Sequence, residues 1–570
     1  KNDIMKYLKN MLMIVAGCLV FASCEDMLTE NPGSYYDKDK FFSDPDNVEM
    51  GILGIYNMLP TLYGSNEMSF FASDDSFYSQ PGAADSGRRD ISAYTMTTSN
   101  KAVEDVWTGT YRGLERANYM IQGIENMDGY ARNEDLQALV AEAKFLRALF
   151  SFNLVVYWGD VPYKTTPTGT YGEAYLPRTD REKIYDQIIQ DLTDAEEGMA
   201  WATASSSPER ATQGSARALK MRVLLQRVGY SLRMDGTLKR PEDAVRRDYF
   251  NSVIEEWEAF EANGYHGFFD TQVDGADGFE GLFRSFSAGV LNSKESLFEV
   301  AFYTPDGSTG ARGNWGTYNG PYVDAPNINT NETGKFMGRA QAFFRVLPEW
   351  RSFFEEHDER RDVMIVTYRY TWDSEVYNHV KTDISRDVRS WYPGKWRREW
   401  MPLGYKDPNN TDVNYCMLRY ADVVLMAAEA YNEMGETPKA WELLNRVRER
   451  AKATRVTSAN YNELMKSPKV YNLDFIDDSD EQGRFRTALY WERGFELAFE
   501  GQRKYDLIRW GILGEALKMM GDNTGANTAG STKAFLAGDN FRSGQHELFP
   551  IPLDEMQANP QLKNMNNPNY

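Results

Sequence analysis

The sequence predicts a mostly α-helical protein. Over several long segments, apolar residues recur every three or four positions, which places them on one face of a helix. The 570 residues are 42% hydrophobic and 26% charged, a composition typical of a folded chain with a large core. Strand-like patterns are short, for example at 297–303 and 363–370.

Residues 1–23 are predicted to be a signal peptide of the lipoprotein type. After Lys6 and Lys9 comes an apolar run of twelve residues, Met11 to Ala22. This length fits the apolar core of a signal peptide, roughly 7–15 residues, and is shorter than the about 20 residues of a membrane-spanning helix. Phe21-Ala22-Ser23-Cys24 resembles a bacterial lipobox, which implies that Cys24 becomes the first mature residue and carries lipid. A buried helix, or a cleavable secretory peptide with an incidental cysteine, is the alternative.

The mature domain, 24–570, is predicted to contain a first helical block over about 45–260. Its clearest apolar stripe runs from Leu136 to Leu154, and Gly159 and Pro162 mark its end. Two further stripes lie at 184–195 and 216–224.

A second helical block is predicted over about 415–520. Tyr420–Met434 and Pro438–Ala451 form a helix–turn–helix with Gly435 at the turn. The small residues where these helices touch are similar to the tetratricopeptide pattern. The last long helix is predicted to run from about Thr487 to Trp510.

A loop-rich insertion, about 265–414, separates the two helical blocks. Residues 303–341 hold seven Gly and five Asn, and a long stretch without regular structure is usually functional or disordered. Its aromatic side chains argue against disorder. Two other irregular stretches, 64–100 and 371–400, are also rich in rings, which a helical scaffold would not need there.

Five stretches of the chain together resemble one family. They are Cys24–Pro32, AEAKFLRALF with LVVYWGDVP at 141–162, LRYADVVLMAAEA at 418–430, ERGFELAFEGQRKYDLIRW at 492–510, and the tail at 548–570. On these motifs the chain is identified as a member of the SusD/RagB-type outer-membrane lipoproteins. Asn569 departs from the family's frequent ending Asn-Pro-Gly-Tyr, since it stands where Gly is usual.

The resemblance implies four tetratricopeptide-like helix pairs with a loop-rich ligand-binding region packed on them. It also implies a lipid-anchored protein at the cell surface of the outer membrane, which binds glycan and passes it to a SusC-like TonB-dependent transporter. The family has no hydrolytic activity, so the resemblance implies neither a catalytic residue nor a cofactor. Some relatives take peptides, and an oligopeptide-binding, RagB-like protein is therefore the first alternative.

The charged motif residues are predicted to hold the fold rather than to catalyse. Glu496 and Glu500 are four residues apart and share a helix face, where they repel each other unless a cation is near. Arg493 and Arg503 stand at helical spacing to supply that cation. A buried salt-bridge network is expected, and a pair of catalytic acids is the alternative.

The sequence predicts no transition-metal or nucleotide site. The four histidines are far apart, and neither a zinc-binding histidine spacing nor a phosphate-binding glycine motif occurs. Asp270, Asp274 and Asp277 could hold a structural calcium ion, or they form an ordinary polar turn. Nucleic acid is a poor partner, because 63 basic residues stand against 84 acidic ones.

The aromatic loops are the predicted ligand site. Sugar rings present C–H patches that stack on Trp or Tyr, while amide, carboxylate and guanidinium groups bond the hydroxyls. The family's site is similar to an aromatic arc drawn from the first two loop regions. The candidates are Asp74, Asp75, Phe77, Tyr78 and Arg88; Arg312, Asn314, Trp315, Tyr318, Asn319 and Tyr322; and, from the third loop, Trp391 and Trp396. Each could instead only pack its own loop.

Two alternative functions belong to other classes of protein. One is a secreted glycoside hydrolase, which paired carboxylates beside the rings would favour. The other is a tetratricopeptide scaffold that binds partner proteins, which a concave helical groove without an aromatic cluster would favour.

Overall fold

A computed structural model describes residues 41–65, 68, 73–79, 84–303, 313–404, 409–465, 476–527 and 532–570. The predicted signal peptide, the predicted lipidation site Cys24 and the candidate Arg312 lie outside these residues. The chain divides into two compact units, 1–50 and 51–570. The first unit is described from residue 41 and contains the start of helix α1, Pro45–Tyr56.

The first helical block is a succession of helices in which each long helix packs against the next. Two short helices, α2 (Leu59–Tyr63) and α3 (Arg88–Ala93), precede it. The long helices are α4 (Lys101–Glu125), α5 (Glu134–Trp158), α6 (Arg181–Gly198), α7 (Gln213–Val228) and α8 (Asp243–Asn263). This arrangement confirms the mostly α-helical prediction.

Local sequence sets the ends of these helices. The side chain of Asn133 accepts hydrogen bonds from the Asp135 and Leu136 amides and so caps the start of α5. Gly159 ends α5 with φ 73°, as the sequence predicts. A Cβ at Gly159 would also lie 2.3 Å from the guanidinium of Arg181, which pairs with Asp160 at 2.8 Å.

The second helical block contains the predicted helix pair. The helices that connect the two blocks are α9 (Gly278–Ala288), α10 (Trp315–Tyr318), α11 (Trp350–Phe353) and α12 (Arg360–Met364). The block itself comprises α13 (Tyr420–Glu433), α14 (Thr437–Arg450), α15 (Tyr461–Leu464), α16 (Glu481–Leu497), α17 (Arg503–Arg509) and α18 (Leu513–Asn523). Helices α19 (Ala537–Asn540) and α20 (Leu553–Ala558) follow. Helices α13 and α14 pack together and against α16, with Gly435 at the turn in a left-handed conformation, φ 88°.

The prediction of one helix from Thr487 to Trp510 is wrong, because the chain leaves the helix after Leu497. Phe499 and Gly501 adopt left-handed conformations, φ 66° and 86°. The amide of Phe499 donates to Asp75 Oδ2 at 3.1 Å, and its carbonyl accepts from Asn319 at 2.8 Å. Distant side chains thus hold a turn that the local helical period does not indicate.

Strands in the described part of the chain form antiparallel pairs. The pairs are β1 (Ser76–Tyr78) with β7 (Phe344–Val346), β2 (Val161–Pro162) with β3 (Arg178–Thr179), β4 (Ser231–Leu232) with β5 (Leu238–Lys239), β6 (Ser296–Val300) with β12 (Tyr415–Arg419), β8 (Ile365–Val366) with β11 (Tyr392–Pro393), and β9 (Tyr368–Asp373) with β10 (Asn378–Asp383). The predicted strand at 297–303 corresponds to β6. The predicted strand at 363–370 instead begins in helix α12 and is split between β8 and β9.

A buried charge network joins the second helical block to the insertion. Its carboxylates Glu492, Glu496 and Glu500 lie four residues apart, and each pairs with a buried cation. The cations are Arg360, Lys395, Arg419, Arg448 and Arg450. The predicted structural role is confirmed, but the predicted cations are wrong, because Arg493 pairs with Asp506 and Arg503 with Asp74.

Glu299 on β6 makes stability depend on pH in an unusual direction. One carboxylate oxygen accepts from Asn414 at 2.9 Å, and the other is buried with no partner among the described residues. Burial raises the pKa of Glu299 to about 7. A carboxyl whose pKa is higher in the folded state stabilises at pH values below its unfolded pKa, and that contribution is lost as the pH rises through the folded value.

We therefore expect Glu299→Gln to stabilise the protein at pH 8 and to change little at pH 4. The gain at pH 8 should be about 3 kcal/mol, because the neutral amide removes the cost of a buried charge. Urea unfolding at the two pH values measures it, with the exposed Glu515→Gln as control. An equal effect of Glu299→Gln at both pH values would contradict this reading.

Candidate functional site

The pairing of β1 with β7 brings the first two aromatic loops together. Tyr78 lies opposite Phe344 in this pair, and the Ser79 amide donates to the Phe343 carbonyl at 2.8 Å. Because β1 lies in the 64–100 region and β7 closes the 303–346 region, two loops distant in sequence meet at one place. The family resemblance implies a site drawn from these two regions.

Three rings and a guanidinium group meet there in what we call the aromatic patch: Tyr78, Tyr318, Phe343 and Arg88. The Phe343 ring centroid lies 4.6 Å from that of Tyr318 and 5.8 Å from that of Tyr78. The Arg88 guanidinium lies 4.6 Å from the Phe343 ring centroid and 5.1 Å from that of Tyr318. Tyr318, Phe343 and Arg88 are half-buried, so they combine fixed geometry with access from the surface. Tyr78 is buried, at 7% exposed, so its predicted ligand contact is corrected to a packing contact with Phe343.

Phe343 is the patch residue that the sequence analysis missed. A period-two signal could have identified it, since apolar Ala342, Phe344 and Val346 alternate with polar Gln341 and Arg345, which places Phe343 on the polar side of the pattern. Arg88 begins helix α3, which packs against β1, so this helix sets the position of the guanidinium.

Asp74 and Asp75 do not face a ligand, and their predicted role is corrected. Asp74 is fully buried, pairs with Arg503 at 2.7 Å and accepts from the Tyr490 hydroxyl at 2.5 Å. Asp75 accepts from Ser73, Ser76 and the Phe499 amide. Burial raises the pKa of Asp75 despite these bonds. The two carboxylates hold β1 on the second helical block beneath the patch.

Two of the three candidate tryptophans are core residues. Trp315 is 1% exposed and Trp396 is 0% exposed, and their ring centroids lie 5.1 Å apart. Trp315 also packs on Tyr415 at 4.5 Å, and Trp396 packs on Phe283 at 5.6 Å. The expectation that they contact ligand is corrected, because both rings are enclosed by other side chains.

The other candidates are buried, bonded within the fold, or outside the patch. Phe77 is buried, and the buried side chain of Asn319 donates to the Phe499 carbonyl. Asn314 donates to Asn410 Oδ1 at 2.5 Å, which fixes the start of α10. Tyr322 and Trp391 are half-buried and lie outside the patch: the Tyr322 hydroxyl donates to Asp324, and Trp391 Nε1 donates to the Ile384 carbonyl.

The possible calcium ligands do not form a cluster. Asp270 pairs with Lys294, and the Asp274 residue sits in a tight turn between Val273 and Ala276. In the described part of the chain, no three His, Cys, Asp or Glu side chains are placed to hold a metal ion. Among the same residues, no helix is both long and apolar enough to cross a membrane.

A cleft of about 620 Å³ opens between helices α7, α8, α13 and α16. Its lining includes Tyr230 and Trp510 together with charged groups, several of which bond one another or Trp510. Arg486 bonds Glu433 through two nitrogens at 2.6 and 3.0 Å, and Trp510 Nε1 donates to Glu429 at 2.9 Å. A groove among helices therefore coexists with the aromatic patch, so the partner-binding scaffold gains no support over a ligand site on the loops.

The fold is that of a mostly α-helical scaffold that displays rings and a guanidinium group on neighbouring loops. Comparison with known proteins gives the family. The model of the SusD family matches residues 294–570, and a second model, described as "Starch-binding associating with outer membrane", matches residues 37–225. The chain belongs to the SusD-like family.

Relatives and solved structures resemble the chain over nearly its whole length. SusD-like protein P25 of Formosa agariphila is 25% identical, with 96% of this chain and 97% of the relative covered. A crystal structure of a SusD homolog from Bacteroides thetaiotaomicron is 25% identical, with a TM-score of 0.74 over 94% of this chain and 98% of that one. A structure described as a laminarin-binding SusD-like protein is 24% identical, with a TM-score of 0.63 over 92% and 100%.

Proposed function

We propose that the protein is a glycan-binding lipoprotein of the outer membrane. The observation that carries the proposal is the aromatic patch, in which two loops distant in sequence place Tyr318, Phe343 and Arg88 side by side. Ring faces stack on the C–H faces of sugars, and a guanidinium group donates to hydroxyls in fixed directions. The starch-binding description of one family model and the laminarin-binding relative support the same ligand class.

The anchor, the orientation of the site and the transporter partner are proposed from the resemblance to the family. The lipid anchor would be Cys24, the site would face the cell exterior, and the captured oligosaccharide would pass to a SusC-like TonB-dependent transporter. Palmitate labelling with membrane fractionation tests the anchor. Co-purification of a TonB-dependent channel with the tagged protein from its native outer membrane tests the partner.

Titration of purified protein against laminarin, starch and a set of oligopeptides tests the ligand class. We expect saturable binding to a polysaccharide and no release of reducing sugar. Binding to oligopeptides alone would overturn the glycan proposal in favour of a RagB-like peptide-binding protein. Release of reducing sugar would overturn the non-enzymatic proposal.

A further inference from the structure

A second row of rings lies on the hairpin formed by β9 and β10. Tyr368, Tyr370 and Trp372 alternate along β9, so their side chains share one face of the strand. We call these three residues the hairpin row. At about 3.4 Å per residue, the row extends over about 14 Å. The ring centroids of Tyr368 and Tyr370 lie 5.9 Å apart, with the ring planes nearly perpendicular.

Polar side chains of β10 flank the hairpin row on the same face. The register places His379 opposite Trp372, Lys381 opposite Tyr370, and Asp383 opposite Tyr368. Directly opposite residues of an antiparallel pair project to the same side. The Lys381 ammonium lies 3.6 Å from the Tyr368 ring centroid. A cation, a carboxylate and an imidazole thus accompany the three rings.

Three buried polar atoms beside the row lack a hydrogen-bond partner within the described ranges: Trp372 Nε1, His379 Nδ1 and Glu399 Oε2. His379 is only 9% exposed, and its Nε2 lies 2.8 Å from the Asp324 carbonyl, to which it donates. Its Nδ1 is then an acceptor in the neutral ring. The other oxygen of Glu399 accepts from the Tyr368 hydroxyl.

The hairpin row and its flanking groups point to a polyhydroxylated ligand. Ring faces stack on the C–H faces of sugars, while an ammonium and a carboxylate bond sugar hydroxyls. A row of rings bordered by such groups has the composition of a sugar-binding surface.

The hairpin row is connected to the aromatic patch by a short segment of chain. The Tyr370 amide donates to the Tyr322 carbonyl at 3.0 Å, and the Asp324 amide donates to the Tyr370 carbonyl at 3.1 Å. Residues 322–324 therefore pair with the outer edge of β9, only a few residues after Tyr318 of the patch. Tyr322 and Tyr368 both pack on the core cluster around Ala342, which precedes Phe343.

We infer that the hairpin row is a second contact for a glycan chain that also occupies the aromatic patch. This inference rests on the proposed glycan-binding function and makes the site longer than the patch alone. The ligand class is a polysaccharide rather than a mono- or disaccharide. A short oligosaccharide fills the patch only, whereas a longer chain gains the hairpin contacts as well.

Tyr370→Ala tests the inference, because the half-buried Tyr370 is the central ring of the row and lies opposite the exposed Lys381. Wild type and variant are titrated with laminarin and laminaritriose, or with starch and maltotriose if starch is the polymer that binds. We expect the variant to lose about tenfold in affinity for the polymer and to keep its affinity for the trisaccharide. Tyr370→Phe should keep most of the affinity for both.

Thr371→Ala is the matched control, since its hydroxyl pairs with Thr382 on the opposite face of the same hairpin. Hydrogen exchange of residues 368–383 with and without polymer is a second measurement that needs no variant, and protection there is expected. Equal polymer affinity for wild type and Tyr370→Ala, or absence of this protection while the polymer is bound, overturns the inference alone. If wild type binds neither polymer nor trisaccharide, the proposed function fails together with it.

Discussion

Glu496→Gln is expected to lower the free energy of unfolding by about 3 kcal/mol. Glu496 is fully buried, and its oxygens accept from Arg419 at 2.6 Å, from Arg360 at 3.2 Å and from Arg450. Burial alone would raise the pKa of Glu496, but the three guanidinium groups outweigh it and hold the pKa at about 2. The lowering of the Glu496 pKa from the ordinary value of 4.5 corresponds to the expected loss of about 3 kcal/mol in the free energy of unfolding. Urea unfolding followed by circular dichroism measures it.

The sign of the pH dependence provides an internal check on this prediction. A carboxylate with a depressed pKa stabilises the fold above its unfolded pKa, and that contribution is lost as the pH falls. The stability difference between wild type and Glu496→Gln should therefore be constant above pH 5 and should shrink from pH 4.5 toward pH 2. Glu515→Gln, on the exposed side of α18, should unfold at the wild-type urea concentration. An unchanged midpoint for Glu496→Gln would contradict the structural role of the network.

Helices could be predicted from the sequence where the controlling contacts are local. The apolar stripe from Leu136 to Leu154 lies within α5, and the turn at Gly435 separates α13 from α14, since helical period and turn residues act within a few positions. The break after Leu497 could not be predicted in this way. It depends on Asp75, which accepts the Phe499 amide from 424 residues away in the sequence.

For the candidate site, the sequence indicates which loops carry rings but not which rings are enclosed. Trp315 and Tyr318 begin and end the same one-turn helix, yet Trp315 is buried and Tyr318 is half-buried. The difference arises because Trp396 and Tyr415, from two other segments, close over Trp315. Long-range packing of this kind leaves no periodic pattern in the sequence. The loops are irregular, so the burial of their rings could not be predicted from spacing.

Tyr318→Ala is expected to weaken glycan binding about 30-fold, equal to about 2 kcal/mol. The substitution removes the ring that contacts both Phe343 and Arg88, so the variant loses the Tyr318 stacking surface and loosens the two groups beside it. Isothermal titration with the polysaccharide that binds wild type measures the change. Tyr318→Phe keeps the ring and should stay within about threefold of wild type, because stacking rather than the hydroxyl provides the contact.

Substitution of an exposed ring elsewhere on the surface distinguishes loss of this site from loss of non-specific binding to aromatic side chains. Tyr171 is 81% exposed on the short turn Tyr171–Ala174, and its hydroxyl bonds that of Tyr175. Tyr171→Ala should leave glycan affinity unchanged although it removes a far more accessible ring than Tyr318. If both variants weaken binding equally, the ligand recognises exposed tyrosine in general and the aromatic patch is not the site. If only Tyr318→Ala weakens it, the affinity comes from the geometry of the aromatic patch, which β1, α3, α10 and the residue before β7 build together.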